Sequence, residues 1–349
     1  MSYVTEYGTS ARSSRSDARP RAYTQITQVT ALRDDAQPAF VHLDPTGQHV
    51  AIRDAEGLLV DARQRLGPGA FRSMAFLTEW GAILGRWEMR WDGKTLEGRD
   101  DHTEQVPKFP VAIAQGYQLA ARWTRERWTS VGQQVGGFDV RTVVAIHSRV
   151  DDDNEWVTVL PGTGAAAIAD DGRVVVGMED GLVRVYAAHG DAGDSMRGAS
   201  SRELSIGEAV HAVSAIGMGA VVLSERATAT GVRFIDDTVV WSADVAFTAH
   251  QPAIDGGDGR VYIAGDGLAA IDRGAIAWSN PSVVPTRATA FADGTLAVCR
   301  GPGLQILARD GSIVQQLATS DGATIMTPPA IGPDGSIWFA TPTHLCVTR

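Results

Sequence analysis

The sequence predicts an all-β protein, a single β-propeller of eight four-stranded blades. Three observations carry that prediction: a unit of four short apolar runs joined by tight Gly/Asp turns, the recurrence of that unit along the chain, and a last copy that stops one strand short. Self-similarity is read first because it decides the whole fold.

The first copy runs from Pro38 to Asp61, PAFVHLDPTGQHVAIRDAEGLLVD. Shorter-grained copies begin near Ser73 (SMAFLTEWGAILGRWEMRWDG), Val111 (VAIAQGYQLAARW) and, after a clear one at Ala165 (AAAIADDGRVVVGMEDGLVRVY), near Ala212 (AVSAIGMGAVVLSE). The clearest follows, Pro252 to Asn280, PAIDGGDGRVYIAGDGLAAIDRGAIAWSN, in which GGDG, GDG and RG separate four runs. These are the turns that permit positive φ, so one unit reads as one antiparallel meander. Ala288 to Leu317 repeats it, and Pro329 to Arg349 gives three runs of a final copy. The starts lie roughly 35 to 55 residues apart, around the propeller range. Apolar runs such as RVVVG, RVYIA and SIWFA lack clean alternation, as expected where both sheet faces are covered.

The strand missing from the last copy is sought at the other end of the chain. Ala22 to Leu32, AYTQITQVTAL, is β-branched and belongs to no blade; as the outermost strand of the last blade it would complete the ring and remove an exposed edge. The weak point is residues 112–159, where extra material (TRERWTSVGQQVGGFDVRTVV) lengthens the third unit, so that seven and nine blades stay open. Domain organisation follows as a flexible Ser/Arg-rich tail, residues 1–21, and a propeller, residues 22–349.

The clearest unit resembles the tryptophan-containing repeat of quinoprotein-like β-propellers, in which a DG-VY-DG-A-D-G-W grammar recurs. Trp278 and Trp241 take the expected fourth-strand place, and Trp156 does so more loosely. The WD-repeat superfamily is similar at lower resolution, although no unit pairs a Gly-His start with a Trp-Asp end. The resemblance implies a disc with a central channel and no particular activity, because propellers host many unrelated functions. Quinoprotein dehydrogenases hold their quinone against a disulfide of adjacent cysteines beside calcium, and Cys299 and Cys346 are far apart in this sequence.

Composition excludes several classes. A net charge of -10 and a pI near 5.3 work against general attraction to nucleic acid or anionic membrane. No segment reaches about 18 uninterrupted apolar residues and the N-terminus has no secretory apolar core, which leads to the expectation of a cytoplasmic, bacterial protein. The chain has no G-x-S-x-G, P-loop or H-E-x-x-H, so no catalytic constellation and no cofactor or metal is expected. His211 and His250 each precede a first strand but lack a third ligand. Residues 151–155 (DDDNE) lack the glycine and distal glutamate of a calcium loop. Asp255, Asp272 and Asp310 sit where a carboxylate caps its own turn.

What remains is a binding role. Five of the nine tryptophans (Trp80, Trp87, Trp91, Trp123, Trp128) share the second and third units with Arg86, Arg90, Arg122, Arg125 and Arg127. Trp and Arg are enriched at interface hot spots, and the competing reading is that the tryptophans pack between blades. The expected function is a protein-binding platform with Arg86, Arg90, Trp91, Arg122, Arg125 and Arg127 in its partner surface. The alternative is a small-molecule enzyme or binder, lactonase-like or lyase-like, at the channel mouth. Finally, Gly8 to Arg21 and Ala187 to Arg202 hold almost nothing large and apolar. They are expected to be mobile and protease-accessible at Arg12, Arg15, Arg19, Arg21, Arg197 and Arg202.

Overall fold

The computed structural model describes residues 14–32, 40–43, 50–54, 57–61, 75–77, 81–84, 87–90, 95–96, 118–123, 127–136, 139–148, 154–162, 164–168, 173–186, 201–217, 219–224, 228–233, 238–282 and 284–349. Among them there is no helix. They form antiparallel sheets, and the chain divides into two compact units, residues 1–70 with 241–349, and residues 71–240.

The first unit opens with β1 (Ile26–Ala31), followed by a three-stranded sheet of β2 (Phe40–Leu43), β3 (Val50–Asp54) and β4 (Gly57–Asp61). The second unit holds four sheets, each a meander in chain order. They are β5 (Ala75–Leu77), β6 (Gly81–Leu84), β7 (Trp87–Arg90) and β8 (Thr95–Leu96); β9 (Gln118–Trp123), β10 (Arg127–Gly136), β11 (Asp139–Ser148) and β12 (Asn154–Pro161); β13 (Gly164–Ile168), β14 (Val174–Met178), β15 (Leu182–Tyr186) and β16 (Ser201–Ser205); then β17 (Val210–Ile216), β18 (Gly219–Ser224), β19 (Thr228–Arg233) and β20 (Thr238–Asp244). The last of these strands runs past the end of the unit. The material that lengthens the third repeat is not an insertion. It supplies β10 and β11, two ten-residue strands that pair from Arg127↔Ser148 to Gly136↔Asp139. Val111, the start predicted for that unit, lies outside the described residues.

Back in the first unit, one sheet contains β21 (Ile254–Gly257), β22 (Arg260–Ala264), β23 (Gly267–Asp272) and β24 (Ala275–Pro281), and the next contains β25 (Thr286–Ala290), β26 (Leu296–Arg300), β27 (Gly303–Leu307) and β28 (Ile313–Ala318). Only three strands remain, β29 (Ala330–Ile331), β30 (Ile337–Ala340) and β31 (His344–Thr348), and β1 completes their sheet in the order β1-β31-β30-β29. The pairing runs from Ile26↔Thr348 to Ala31↔His344, with a bulge at Val29. The fourth strand sought at the N-terminus is therefore where the truncated last copy needs it.

Sheets pack face to face within this unit, which explains the runs without alternation. Ile254, Tyr262 and Leu268 meet Ala288, Leu296 and Val298 of the next sheet. Phe291, Ile306 and Leu304 in turn meet Ile337, Phe339 and Cys346, and Ala340 and Leu345 meet Val41 of β2. First strands neighbour one another, β21 beside β25 and β2 beside β29, so the first strand of each sheet marks its inner edge.

Turn chemistry follows the Asp-Gly signature closely. Asp258 (φ 53°) and Gly259 (φ 79°) join β21 to β22, and Arg273 (φ 50°) and Gly274 (φ 90°) join β23 to β24. Both pairs of positive φ values are those of a two-residue hairpin turn that matches strand twist. Elsewhere an aspartate closes its own turn: Asp293, Asp310 and Asp334 each accept from the backbone N–H two residues on, at 2.9 Å.

Two glycines of such turns also receive the fourth-strand tryptophans. A Cβ on Gly274 would stand 2.4 Å from Trp241 Cβ, and one on Gly311 would stand 3.0 Å from Trp278 Cδ2 and Cε2. Trp278 Nε1 then donates to Arg309 O at 2.9 Å. Within the first unit, Trp278 and Gly311 thereby link one sheet to the turn of the next.

Candidate functional site

The inner edge of β25 is the place where the first unit builds something beyond its sheets. A strand edge presents backbone N–H and C=O groups that must find partners when buried. β25 is buried along its length apart from Arg287, and its far edge is paired residue by residue with β26.

On the near edge, Thr286 N–H donates to Gly265 O at 2.7 Å. Ala288 is gripped at both ends by the buried Gln251, whose Oε1 accepts from Ala288 N at 3.1 Å and whose Nε2 donates to Ala288 O at 2.8 Å. Ala290 is matched by residues 14–18: its N–H donates to Ser14 O at 2.9 Å, and its C=O accepts from Ser16 N–H at 2.8 Å. Arg15 thus forms a parallel bridge with Ala290, and Ala292 N–H continues the ladder to Ala18 O at 2.9 Å.

Side chains on this short arm alternate in the manner of a strand. Ser14, Ser16 and Ala18 are buried, while Arg15 reaches sideways. Its Nη1 donates to Asp255 Oδ2 at 3.3 Å and its Nη2 to Ala292 O at 2.7 Å. Asp255 Oδ1 meanwhile accepts from Gly257 N at 2.8 Å, so one carboxylate holds both its own hairpin and the arginine. Gly257 forms the floor, since a Cβ there would lie 2.8 Å from Arg15 Nη2 and 3.0 Å from Cζ.

Downstream the arm is fastened again at Tyr23. Its buried hydroxyl donates to Gly335 O at 2.7 Å, and its backbone exchanges hydrogen bonds with the Gln315 side chain. Burial is the main force pushing the Tyr23 phenol up to about 12, and the Arg21 side chain over the ring opposes it only in part.

The tail expected over residues 1–21 is thus not a tail from Ser14 onward. Composition misled because the segment docks through backbone hydrogen bonds and small buried side chains, which need no large apolar residue. Arg15 is engaged, whereas Arg19 and Arg21 are exposed. Arg202, expected in a mobile connection, lies in β16 opposite Val185; Arg12 and Arg197 lie outside the described residues.

The other expected positions fall as follows. Arg90, Arg122 and Arg127 lie in β7, β9 and β10; Arg86, Trp91 and Arg125 are outside the described residues. His211 stands inside β17, at the irregularity between Val210 and Ala212. His250 pairs through Nε2 with Asp266 Oδ1 at 2.6 Å, both half exposed.

Of the three aspartates expected to cap their own turns, Asp255 and Asp310 accept from Gly257 N and Ser312 N, whereas Asp272 pairs with Arg260 of β22. Asp255 is described above; Asp272 is held below the usual carboxylate range by the hydrogen bond from Arg260, and Asp310 by those from Ser312. Burial pushes both cysteine thiols up, Cys346 to about 11, which leaves them protonated and weakly nucleophilic at neutral pH. Among the described residues no group of three or more His, Cys, Asp or Glu could hold a metal ion. Among the described residues there is no helix long and apolar enough to cross a membrane, which says nothing of strands.

Solved structures share this fold at low identity. BamB from Moraxella catarrhalis aligns with a TM-score of 0.55 at 13% identity, covering 93% of this chain and 97% of that one. The C-terminal WD40 domain of Sif2 aligns with a TM-score of 0.60 at 10% identity, covering 94% and 99%. No protein-family model and no curated protein matches the chain. The fold they share with this chain is the β-propeller.

Proposed function

We propose that this chain is an eight-bladed β-propeller, closed by β1, whose role is to bind another protein. The observation that carries the reading is the character of three outermost strands in the first unit. Each exposes large aliphatic side chains: Val29 on β1, Ile276 on β24, and Ile313 and Val314 on β28, the last two 56% and 66% exposed. An exposed sheet edge with apolar side chains invites pairing, and proteins normally blunt such edges with charge or cover them. A partner that covers them accounts for their retention. In the second unit, taken by itself, Arg86, Arg90, Trp91, Arg122, Arg125 and Arg127 are the residues proposed to contact the partner.

The reading is tested by cross-linking the protein to its partner in its native host and mapping the cross-linked residues. Cross-links should fall on β1, β24 and β28 or on the arginine region, and Val314→Asp should weaken partner recovery at unchanged melting temperature. A protein that stays free of partners in that host and turns over a small molecule instead refutes the reading.

A further inference from the structure

The arm over residues 14–18 is an extended peptide bound to a sheet edge, and its chemistry defines what else would bind there. We propose that the inner edge of β25 is a receptor for an extended, arginine-bearing peptide of another protein, and that residues 14–18 are the intramolecular occupant such a peptide displaces. The partner half of this inference rests on the platform reading above; the edge itself is described by its own geometry.

Affinity at this edge comes from main-chain hydrogen bonds, those of Ala290 and Ala292 to Ser14, Ser16 and Ala18, which any extended backbone can supply. Selectivity comes from one side chain. The Arg15 slot offers the Asp255 carboxylate and the Ala292 carbonyl to two different guanidinium nitrogens over a glycine floor, so it reads a planar fork with several donors. A lysine ammonium would reach one of these acceptors in place of both. The flanking positions admit only small residues, because Ser14 and Ser16 are 0% and 2% exposed. The recognised pattern is therefore small, arginine, small, any, small, running parallel to β25.

The resident is lightly held. No residue from Ser14 to Ala18 buries a large apolar side chain, and the arginine is one third exposed. Its advantage is its tether through residues 19–25, which raises its local concentration. The two neighbouring positions on the same edge, Thr286 and Ala288, are held by Gly265 and Gln251 and do not depend on the arm. Releasing the arm therefore opens a short, defined stretch at Ala290 to Ala292.

The probe is a fluorescent synthetic peptide of residues 10–20, titrated against full-length chains and followed by anisotropy. The Arg15→Ala chain should bind it at least tenfold more tightly than the wild-type chain, whose own arm competes. An Arg15→Ala, Asp255→Ala chain, or a peptide with alanine in place of its Arg15, should lose at least tenfold. Equal binding by the wild-type and Arg15→Ala chains, indifference to the arginine or to Asp255, or no binding at all overturns the proposal.

Hydrogen exchange on the wild-type chain tests it without any variant. The Ala290 and Ala292 amides should exchange together and faster than that of Ala288, and exchange of all three only through global unfolding overturns a displaceable arm. If the peptide fails while Val314→Asp still abolishes partner recovery, this inference falls and the platform reading stands.

Discussion

Removing one hydroxyl at Tyr23 should reveal how firmly the N-terminal segment is fastened to the last sheets. The phenol is 3% exposed and donates to Gly335 O at 2.7 Å. Tyr23→Phe keeps the ring among Phe291, Ile325 and Phe339 but leaves a buried carbonyl without its donor, at a cost of about 1–3 kcal/mol at pH 7. Alkali gives a second reading of the same contact. A phenol raised from 10.0 to about 12 favours the neutral form in the folded chain, and the difference corresponds to roughly 2.7 kcal/mol. Because the folded value lies above the unfolded one, that stability is complete below pH 10 and is lost as pH rises through about 12. Urea unfolding followed by circular dichroism from pH 8 to 12 should show the wild-type chain losing its advantage over Tyr23→Phe in that window. Tyr262, also raised by burial, is common to both proteins and cancels in the comparison. Parallel pH profiles for the two chains would refute the reasoning.

Gly311 combines φ +84° with a tryptophan ring 3.0 Å from where a Cβ would stand, so Gly311→Ala should destabilise by about 2–4 kcal/mol in chemical denaturation. Gly322→Ala, at φ +70° with nothing within 4 Å, should cost only about 1–2 kcal/mol, the backbone part alone. In acid, Ser312 holds the Asp310 carboxyl below its usual range, so its contribution is present above the unfolded carboxylate value and disappears as pH falls through the lowered one. Asp310→Asn should accordingly flatten the acid limb of the stability curve. Brief digestion with an arginine-directed protease should cut after Arg21 before it cuts after Arg15, whose bond lies in the ladder on β25; mass spectrometry of the first fragments decides it.

The parts of the fold that are legible in the sequence are those with a local cause. Positive φ at Gly259, Gly274 and Gly311 leaves Asp-Gly and Arg-Gly pairs, and the tryptophans at 241 and 278 mark the strands that meet those glycines. The unit starts at Pro38, Ser73, Ala165, Ala212, Pro252, Ala288 and Pro329 each fall within a few residues of a first strand for that reason. The stray β-branched run at the N-terminus finds its sheet because the last copy lacks one strand. The hairpin of β10 and β11 escaped because its ten-residue strands are about twice as long as most other strands.

The arm on β25 escaped for a deeper reason. Strand addition works through the backbone, and the only trace it leaves is the alternation of small residues at Ser14, Ser16 and Ala18, which composition alone reads as disorder. Its arginine slot joins Asp255 and Ala292, far from Arg15 in the sequence, and no local pattern announces it.

The central claim is that β1 completes the last sheet, and one disulfide tests it. Gln28 faces Cys346 across β1 and β31. Gln25 and Arg349 exchange backbone hydrogen bonds three positions away, which makes the Gln28 pair a non-hydrogen-bonded one. Such pairs have Cα atoms about 4.5 Å apart, inside the range a disulfide accepts. A Gln28→Cys chain, with Cys299→Ala to remove the other thiol, is treated with diamide near pH 9, because burial and the nearby Asp321 charge raise the Cys346 thiol to about 11. Peptide mapping should find positions 28 and 346 joined in the folded protein, and the joined chain should resist denaturation more than its reduced form. A folded protein in which these two positions stay unjoined, while the same chain oxidises freely once unfolded, would contradict the account.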